Sequence, residues 1–205
     1  MIADYSAFVK PHCRITFTTS AGGVYLLRLF CYDGREVKSV ERTKQIHPIP
    51  PLFNANSRVL ILGSFPSVKS REAKFFYGHP QNRFWRVLAD IFGEMPPETI
   101  EEKKSLALRR GIALWDVIAQ CEIVGSSDAS ITGVVPNDLS AILDAADIRA
   151  VFCNGNTAYT YYNKYCRAQT QRDAILLPST SPANARWTRE KLAEAWGAAL
   201  LLYLR

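Results

Sequence analysis

From residue 57 onward, short apolar runs alternate with longer stretches in which apolar residues recur every three or four positions. This is how strands alternating with helices read. Four runs, RVLIL (58–62), IALWDV (112–117), AVFC (150–153) and AILL (174–177), are apolar almost throughout, as strands covered on both faces must be. Between them, residues 82–92 place Phe84, Val87, Leu88, Ile91 and Phe92 at helical spacing, with Gly93 positioned to stop the helix. Residues 98–110 open on acids and close on Arg109, Arg110 and Gly111, which suits the helix dipole and a glycine stop. Residues 137–146, 157–169 and 188–204 complete the helical set. The order predicts an α/β fold, a three-layer α/β/α sandwich around a short, mainly parallel four-stranded sheet.

Residues 1–45 read differently. ITFTT and VYLLRLFCY flank the turn-forming SAGG, the pattern of a β-hairpin. A charged stretch, 33–44, follows, and HPIPPLF (47–53) reads as an extended connection because its prolines exclude regular structure. The division expected is an N-terminal extension over 1–45 and one main domain over 46–205. The extension reads equally as an accessory arm or as part of the core sheet.

The chain of 205 residues, 48% hydrophobic and 21% charged, is long enough to bury one sizeable core. No apolar run approaches the roughly 20 residues of a membrane span, and residues 1–14 lack a basic segment leading into an apolar one. A soluble, cytoplasmic protein is expected, nucleoid-associated in a prokaryote, with no membrane contact. Cys13, Cys31, Cys121, Cys153 and Cys166 are odd in number and form no CxxC pair, so reduced, packed thiols are expected rather than a disulfide framework. The net charge of +6 and a pI of about 9.1 favour polyanionic partners, nucleic acid first among them.

In parallel α/β folds ligands bind beyond the carboxyl ends of the strands. Here those segments are GSFPSVKS (63–70) with FFYGHPQNRFW (75–85), then Asp116, then Asn154-Gly155-Asn156, then PSTSPANAR (178–186). Together they resemble the uracil-DNA glycosylase superfamily. HPQNRFW is similar to the matching stretch of its mismatch-specific uracil glycosylases, and GSFPSVKS with STSPAN is similar to its deoxyinosine (hypoxanthine-DNA) glycosylase branch. The resemblance runs from about residue 46 to the C-terminus.

That resemblance implies hydrolysis of the N-glycosidic bond of a deaminated base. The third position of G-x-x-P, which in several branches carries the residue that positions the attacking water, is Phe65 here, which has no group to hold water. The resemblance transfers that task to Asn82. An asparagine before a helix is an N-cap by default, and only the surrounding HPQNRFW favours catalysis. Ser179 stands where many relatives carry a histidine, so help to the departing base from that position is excluded. Phe65, Tyr77, Asp116, Asn154 and Asn156 are the expected base pocket. The resemblance sets Tyr77 to stack on the base, Asp116 is suited to accept the N1 proton of hypoxanthine, and Asn156 is favoured over Asn154 as reader of the base edge. Ser67, Lys69, Ser70, His79, Ser179, Ser181, Pro182, Asn184 and Arg186 are the expected DNA-binding set, with Arg186 supplying charge to the phosphates. Asp116 capping a strand end and asparagines serving a plain turn remain the structural readings.

An enzyme acting on a base must extrude it from the stack. A carboxamide cannot take a proton from water at neutral pH, so bond breaking is expected to run ahead of water attack. No lysine is placed for a Schiff base, which predicts a monofunctional enzyme. No cofactor is expected, and three histidines without ligand spacing predict no metal. The expected partner is double-stranded DNA bearing hypoxanthine first, with uracil, xanthine and single strands as further substrates, acted on by a monomer. Two alternatives stand beside this: a catalytically silent lesion-binding protein, and a small-molecule α/β hydrolase using Ser64, Ser67 or Ser70. The second lacks a G-x-S-x-G elbow.

Overall fold

The structure is a computed structural model that describes residues 43–204 in full and, before residue 43, the backbone pairing of three strands. The chain divides into two compact units, 1–42 and 43–205. In the first, β1 (Cys13–Thr19) pairs antiparallel with β2 (Tyr25–Cys31) from Cys13 opposite Cys31 to Thr19 opposite Tyr25, and β3 (Glu36–Val37) adds to β2. This is the hairpin that ITFTT and VYLLRLFCY predict. The SAGG turn and most of the charged stretch lie outside the described residues.

The larger unit is built on four parallel strands: β5 (Val59–Gly63), β6 (Ile112–Asp116), β9 (Ala150–Asn154) and β10 (Ala174–Leu177), in the order β10-β9-β5-β6. Every residue of β5 is buried, so its two-residue period sends side chains into both layers. Val59 and Ile61 enter one layer, formed by α2 (Phe84–Phe92), α3 (Ile100–Arg109) and α7 (Arg189–Leu200), where they meet Phe84, Leu88, Leu106, Leu192 and Trp196. Leu60 and Leu62 enter the other, with Ile142 of α4 (Ser140–Ala145) and Ala158 of α5 (Asn156–Tyr161). Large side chains buried this completely contribute about 1.5–3 kcal/mol each. The three-layer α/β/α sandwich is therefore what forms.

The structure adds a second sheet that the apolar pattern did not reveal. β4 (Thr43–Ile46), β7 (Ile118–Ile123) and β8 (Thr132–Pro136) form an antiparallel sheet in the order β4-β7-β8. β7 follows β6 after a single residue, Val117, and its Ile118, Cys121 and Ile123 close the second layer. Residues 43–46 thus pair within the larger unit, opposite Ile123 to Gln120. The stretch expected as one helix over 157–169 is instead α5, a π-helical turn over Tyr162–Cys166, and α6 (Arg167–Thr170). No helix among the described residues is long and apolar enough to cross a membrane.

After β5 the chain moves to one neighbour, β6, and later returns to β9 on the other side. This reversal opens a crevice beyond the carboxyl ends of β5 and β9, the usual ligand position in such sheets. Two short segments follow β5: α1 (Val68–Ala73) and the turn that leads into α2.

Candidate active site

A cavity of about 380 Å³ occupies this crevice, walled by Gly63 to Ser67, Ser70, Phe76, Tyr77, Asn82, Asp116, Asp128, Asn154, Ser179 and Ser181 among others. Three of the four strand ends contribute directly through Gly63, Asp116 and Asn154, and the loop after β10 through Ser179 and Ser181. The carboxyl ends therefore converge on one pocket.

Asn82 is fixed by its oxygen. Its Oδ1 accepts from the backbone N–H of Phe84 at 3.0 Å and from the hydroxyl of Thr180 at 3.0 Å. Thr180 Oγ1 in turn accepts from Asn154 Nδ2 at 3.0 Å, and Asn154 Oδ1 accepts from Thr180 N at 2.9 Å. Asn154 thus ties the end of β9 to the last loop, and Thr180, fully buried, relays that tie to Asn82. With both lone pairs of Oδ1 engaged, Asn82 offers the pocket its amide Nδ2–H groups. The helix begins at Phe84 with Arg83 at its N-cap; Asn82 stands one residue before the cap position, and its Oδ1 satisfies the first helical N–H while its amide is left for the pocket.

Arg83, next along the chain, clamps the same loop. Its Nε donates to Thr180 O at 3.3 Å, its Nη2 to Ser181 O at 2.6 Å and to Asn184 O at 3.0 Å, and its Nη1 to Trp187 O. The planar fork of a guanidinium suits several carbonyls at once where a lysine would not. Asn184 folds the loop further by donating to Ser179 O at 2.9 Å. Gly155 permits the close approach on the other side: it has φ of 96°, and a Cβ there would lie 2.8 Å from Ser179 Cβ.

On the opposite wall, Asp116 is buried and paired with His47, whose Nε2 lies 2.8 Å from Asp116 Oδ2. His47 Nδ1 accepts from the N–H of Ile49 at 3.2 Å, so the ring proton sits on Nε2 and is donated to the carboxylate. Asp116 Oδ1 remains toward Gly63, where a Cβ would come within 2.1 Å of it. Phe65 stands edge-on to the His47 ring at 5.9 Å, and the Arg71 guanidinium lies 5.6 Å from the Phe65 ring centre. Tyr77 takes an unusual φ of 53° and stacks on Phe84 with ring centres 3.8 Å apart. Burial first, and then the charge of Asp116, push its hydroxyl well above the ordinary tyrosine range.

At the rim, Ser64 Oγ donates to Asp128 at 3.2 and 3.3 Å. Asp128 is exposed as a residue, and lost hydration of its carboxyl raises its pKa against the lowering effect of hydrogen bonds from Ser64 and Thr157. Ser67 and Ser70 bond each other at 3.1 Å, and Ser70 Oγ also accepts from Gly78 N at 3.0 Å. Among the described residues no histidine therefore activates Ser64, Ser67 or Ser70, and the serine-hydrolase reading has no dyad to rest on. No group of three His, Cys, Asp or Glu among the described residues could hold a metal ion.

Of the expected base pocket, Phe65, Tyr77, Asp116 and Asn154 line the cavity, whereas Asn156 is exposed as the first residue of α5 and does not. The Gly155 turn separates the two asparagines, so the structure brings Asn154 to the site instead of the favoured Asn156. Of the expected DNA-binding set, Ser67, Ser70, Ser179 and Ser181 line the same cavity. Lys69 is exposed and paired with Glu72 at 2.8 Å, His79 Nδ1 accepts from Gln81 N at 3.1 Å, and Pro182 and Arg186 are exposed on the last loop. His47, Arg83 and Thr180 were missed as site residues. The first two could have been suspected as a histidine before a proline run and as the arginine of HPQNRFW; Thr180 carries no such signal.

Comparison with known proteins gives the family. Residues 50–200 match the model of the uracil DNA glycosylase superfamily. The chain is 32% identical over 150 residues to a hypoxanthine DNA glycosylase of Methanosarcina acetivorans, covering 73% of this chain and 94% of the relative. It is 37% identical over 139 residues to a hypoxanthine DNA glycosylase of Methanosarcina barkeri, covering 67% and 87%. The fold superposes, with a TM-score of 0.66 and 30% identity, on the solution NMR structure of a candidate uracil DNA glycosylase from Methanosarcina acetivorans, over 78% of this chain and all of the other. On the extent of the family match and of these relatives, the chain belongs to the uracil DNA glycosylase superfamily.

Proposed function

We propose that this glycosylase removes hypoxanthine from DNA by hydrolysis, with Asn82 as the catalytic residue. The observation that carries the reading is the double anchoring of Asn82 Oδ1 by Phe84 N and Thr180 Oγ1, which turns a rigid amide donor toward a cavity large enough for a base. Both relatives at 32% and 37% identity are named for hypoxanthine, which supports this base over uracil and xanthine.

The chemistry follows from what the pocket holds. As the N-glycosidic bond breaks, its electron pair leaves with the base and positive charge grows on the sugar. Asn82 Nδ2–H donates to the oxygen of a water, which keeps its other lone pair for the anomeric carbon. The amide cannot take the water's proton, so the proton departs only after the new C–O bond has formed and passes through solvent to the released base. Positioning and electrostatics supply most of the rate. The carboxylates of Asp116 and Asp128 in the pocket wall favour a cationic sugar, while Ser179 and Ser181 with Arg186 meet the phosphate backbone.

Double-stranded DNA bearing the deaminated base is the proposed substrate, in base-excision repair. The test is base release from duplexes carrying a single deoxyinosine, deoxyuridine or deoxyxanthosine, comparing wild type with Asn82→Ala. Release from deoxyinosine that collapses in the variant, with DNA binding retained, supports both assignments. Binding without release by the wild type would instead make the chain a silent lesion binder.

A further inference from the structure

The Tyr77 hydroxyl is a buried polar atom of the pocket wall to which the mechanism above gives no task. It makes no hydrogen bond of good geometry: Asn154 lies near it, but both ends of that amide are committed to Thr180. A tyrosine hydroxyl so placed normally finds a partner, and its backbone sits at a φ of 53° that a bulky residue seldom adopts. Strain and an unsatisfied donor at one residue in a cavity wall point to a partner that arrives with the substrate.

The neighbouring groups define that partner. Gly63, whose missing side chain makes room for the Asp116 carboxylate, is bordered by Asp116 Oδ1 and by Tyr77 Oη: a Cβ there would meet them at 2.1 and 3.5 Å. Oδ2 of Asp116 is held by His47, so Oδ1 is the acceptor available to a ligand. The hydroxyl stays protonated, because burial and the nearby carboxylate both oppose its ionisation. The pocket therefore sets a donor beside an acceptor.

Resting on the glycosylase reading, we propose that Tyr77 is a specificity-determining residue that donates its hydroxyl to the carbonyl oxygen of the extruded base while Asp116 Oδ1 accepts the adjacent ring N–H. The pair selects a lactam edge, a carbonyl beside an N–H, as in hypoxanthine, xanthine and uracil. Adenine and cytosine present an amino group beside a bare ring nitrogen, which would face donor with donor and acceptor with acceptor. The family resemblance set the ring of Tyr77 to stack on the base; Phe84 already covers one of its faces, and the residue's role moves to its edge.

Tyr77→Phe removes only the hydroxyl. Because that atom has no partner in the free protein, the melting temperature is expected to hold or rise. Single-turnover release of hypoxanthine is expected to fall about ten- to hundredfold, the loss for one buried hydrogen bond to substrate. Release of unsubstituted purine from a deoxynebularine duplex, which has no carbonyl, should fall far less than release of hypoxanthine. A binding arm separates the proposal from the glycosylase reading: duplexes carrying the non-hydrolysable 2′-fluoroarabino forms of deoxyinosine and deoxyadenosine. The wild type should prefer the inosine analogue and the variant should lose that preference, whether or not either protein releases a base. Equal hypoxanthine release by both proteins, an equal loss on deoxynebularine, or an unchanged preference between the analogues would overturn the proposal. If the wild type releases nothing but Tyr77→Phe abolishes the preference, the glycosylase reading falls and the assignment of Tyr77 stands.

Discussion

Thr180 is the joint on which Asn82 depends, and Thr180→Val tests it with almost no change of shape. Valine fills the volume of threonine in a fully buried site, so no cavity is created. What disappears is a hydroxyl with two hydrogen bonds of 3.0 Å, one donated to Asn82 Oδ1 and one accepted from Asn154 Nδ2. Each bond is worth about 0.5–1.5 kcal/mol net. Asn82 keeps its bond from Phe84 N and Asn154 keeps its bond from Thr180 N, which moderates the penalty for unpaired groups. A stability loss of about 1–3 kcal/mol follows, lowering the melting temperature by roughly 2–4 °C per kcal/mol in a chain of this size. The larger effect falls on catalysis: with one of its two anchors gone the carboxamide can rotate, and misplacement on the order of 1 Å costs about a hundredfold. Single-turnover release from a deoxyinosine duplex should drop about ten- to hundredfold with DNA affinity unchanged, and Thr180→Ser, which keeps the hydroxyl, should recover most of it. Full activity in Thr180→Val would refute the relay and leave Phe84 N as the sole anchor.

Arg83→Lys loses the fork that holds four carbonyls of the last loop; hydrogen exchange should quicken over residues 179–187 and base release fall at least about tenfold, and unchanged exchange there would count against the clamp. Gly63→Ala places a methyl on the carboxylate of Asp116, so the protein should fold with a stability loss of about 1–3 kcal/mol and lose base release; wild-type rates would mean that the carboxylate moves aside freely. Burial pushes the thiols of Cys153 and Cys166 up to about 12 and about 11. Mass spectrometry after iodoacetamide treatment of the native protein should find both unlabelled, together with buried Cys121. Because these folded-state values lie above the unfolded thiol, their stabilising effect is complete below the usual thiol range and is lost as pH rises toward about 11 and about 12. Urea midpoints that do not fall between about pH 8 and about pH 10.5 would contradict this.

The four strands of the parallel sheet were legible because each is buried on both faces and so reads as an unbroken apolar run. Helices α2, α3 and α7 were legible from their period and their stops. The antiparallel sheet was not: β8 alternates between half-buried and exposed positions, and contains Gly133 and ends at Pro136, while β7 follows β6 so closely that the two read as one run. The expected residues that belong to quotable segments, Asn82, Tyr77, Asp116 and the serines of the last loop, line the cavity. Those defined by a partner far along the chain were not legible. His47 acquires its meaning from Asp116, 69 positions away, and Thr180 from Asn82, 98 positions away. The choice of Asn156 over Asn154 turned on a single glycine, since the conformation of Gly155 sends one asparagine into the pocket and starts an outward-facing helix with the other.

The most direct test of the account is to incubate the full chain in excess with a duplex carrying one deoxyinosine and to assay by mass spectrometry for free hypoxanthine, while following strand integrity before and after hot alkali. The account predicts free hypoxanthine in amounts matching the lesion and a strand that stays intact until alkali cuts it at the abasic site. No hypoxanthine, or a strand cut without alkali and with the base still attached, would contradict it.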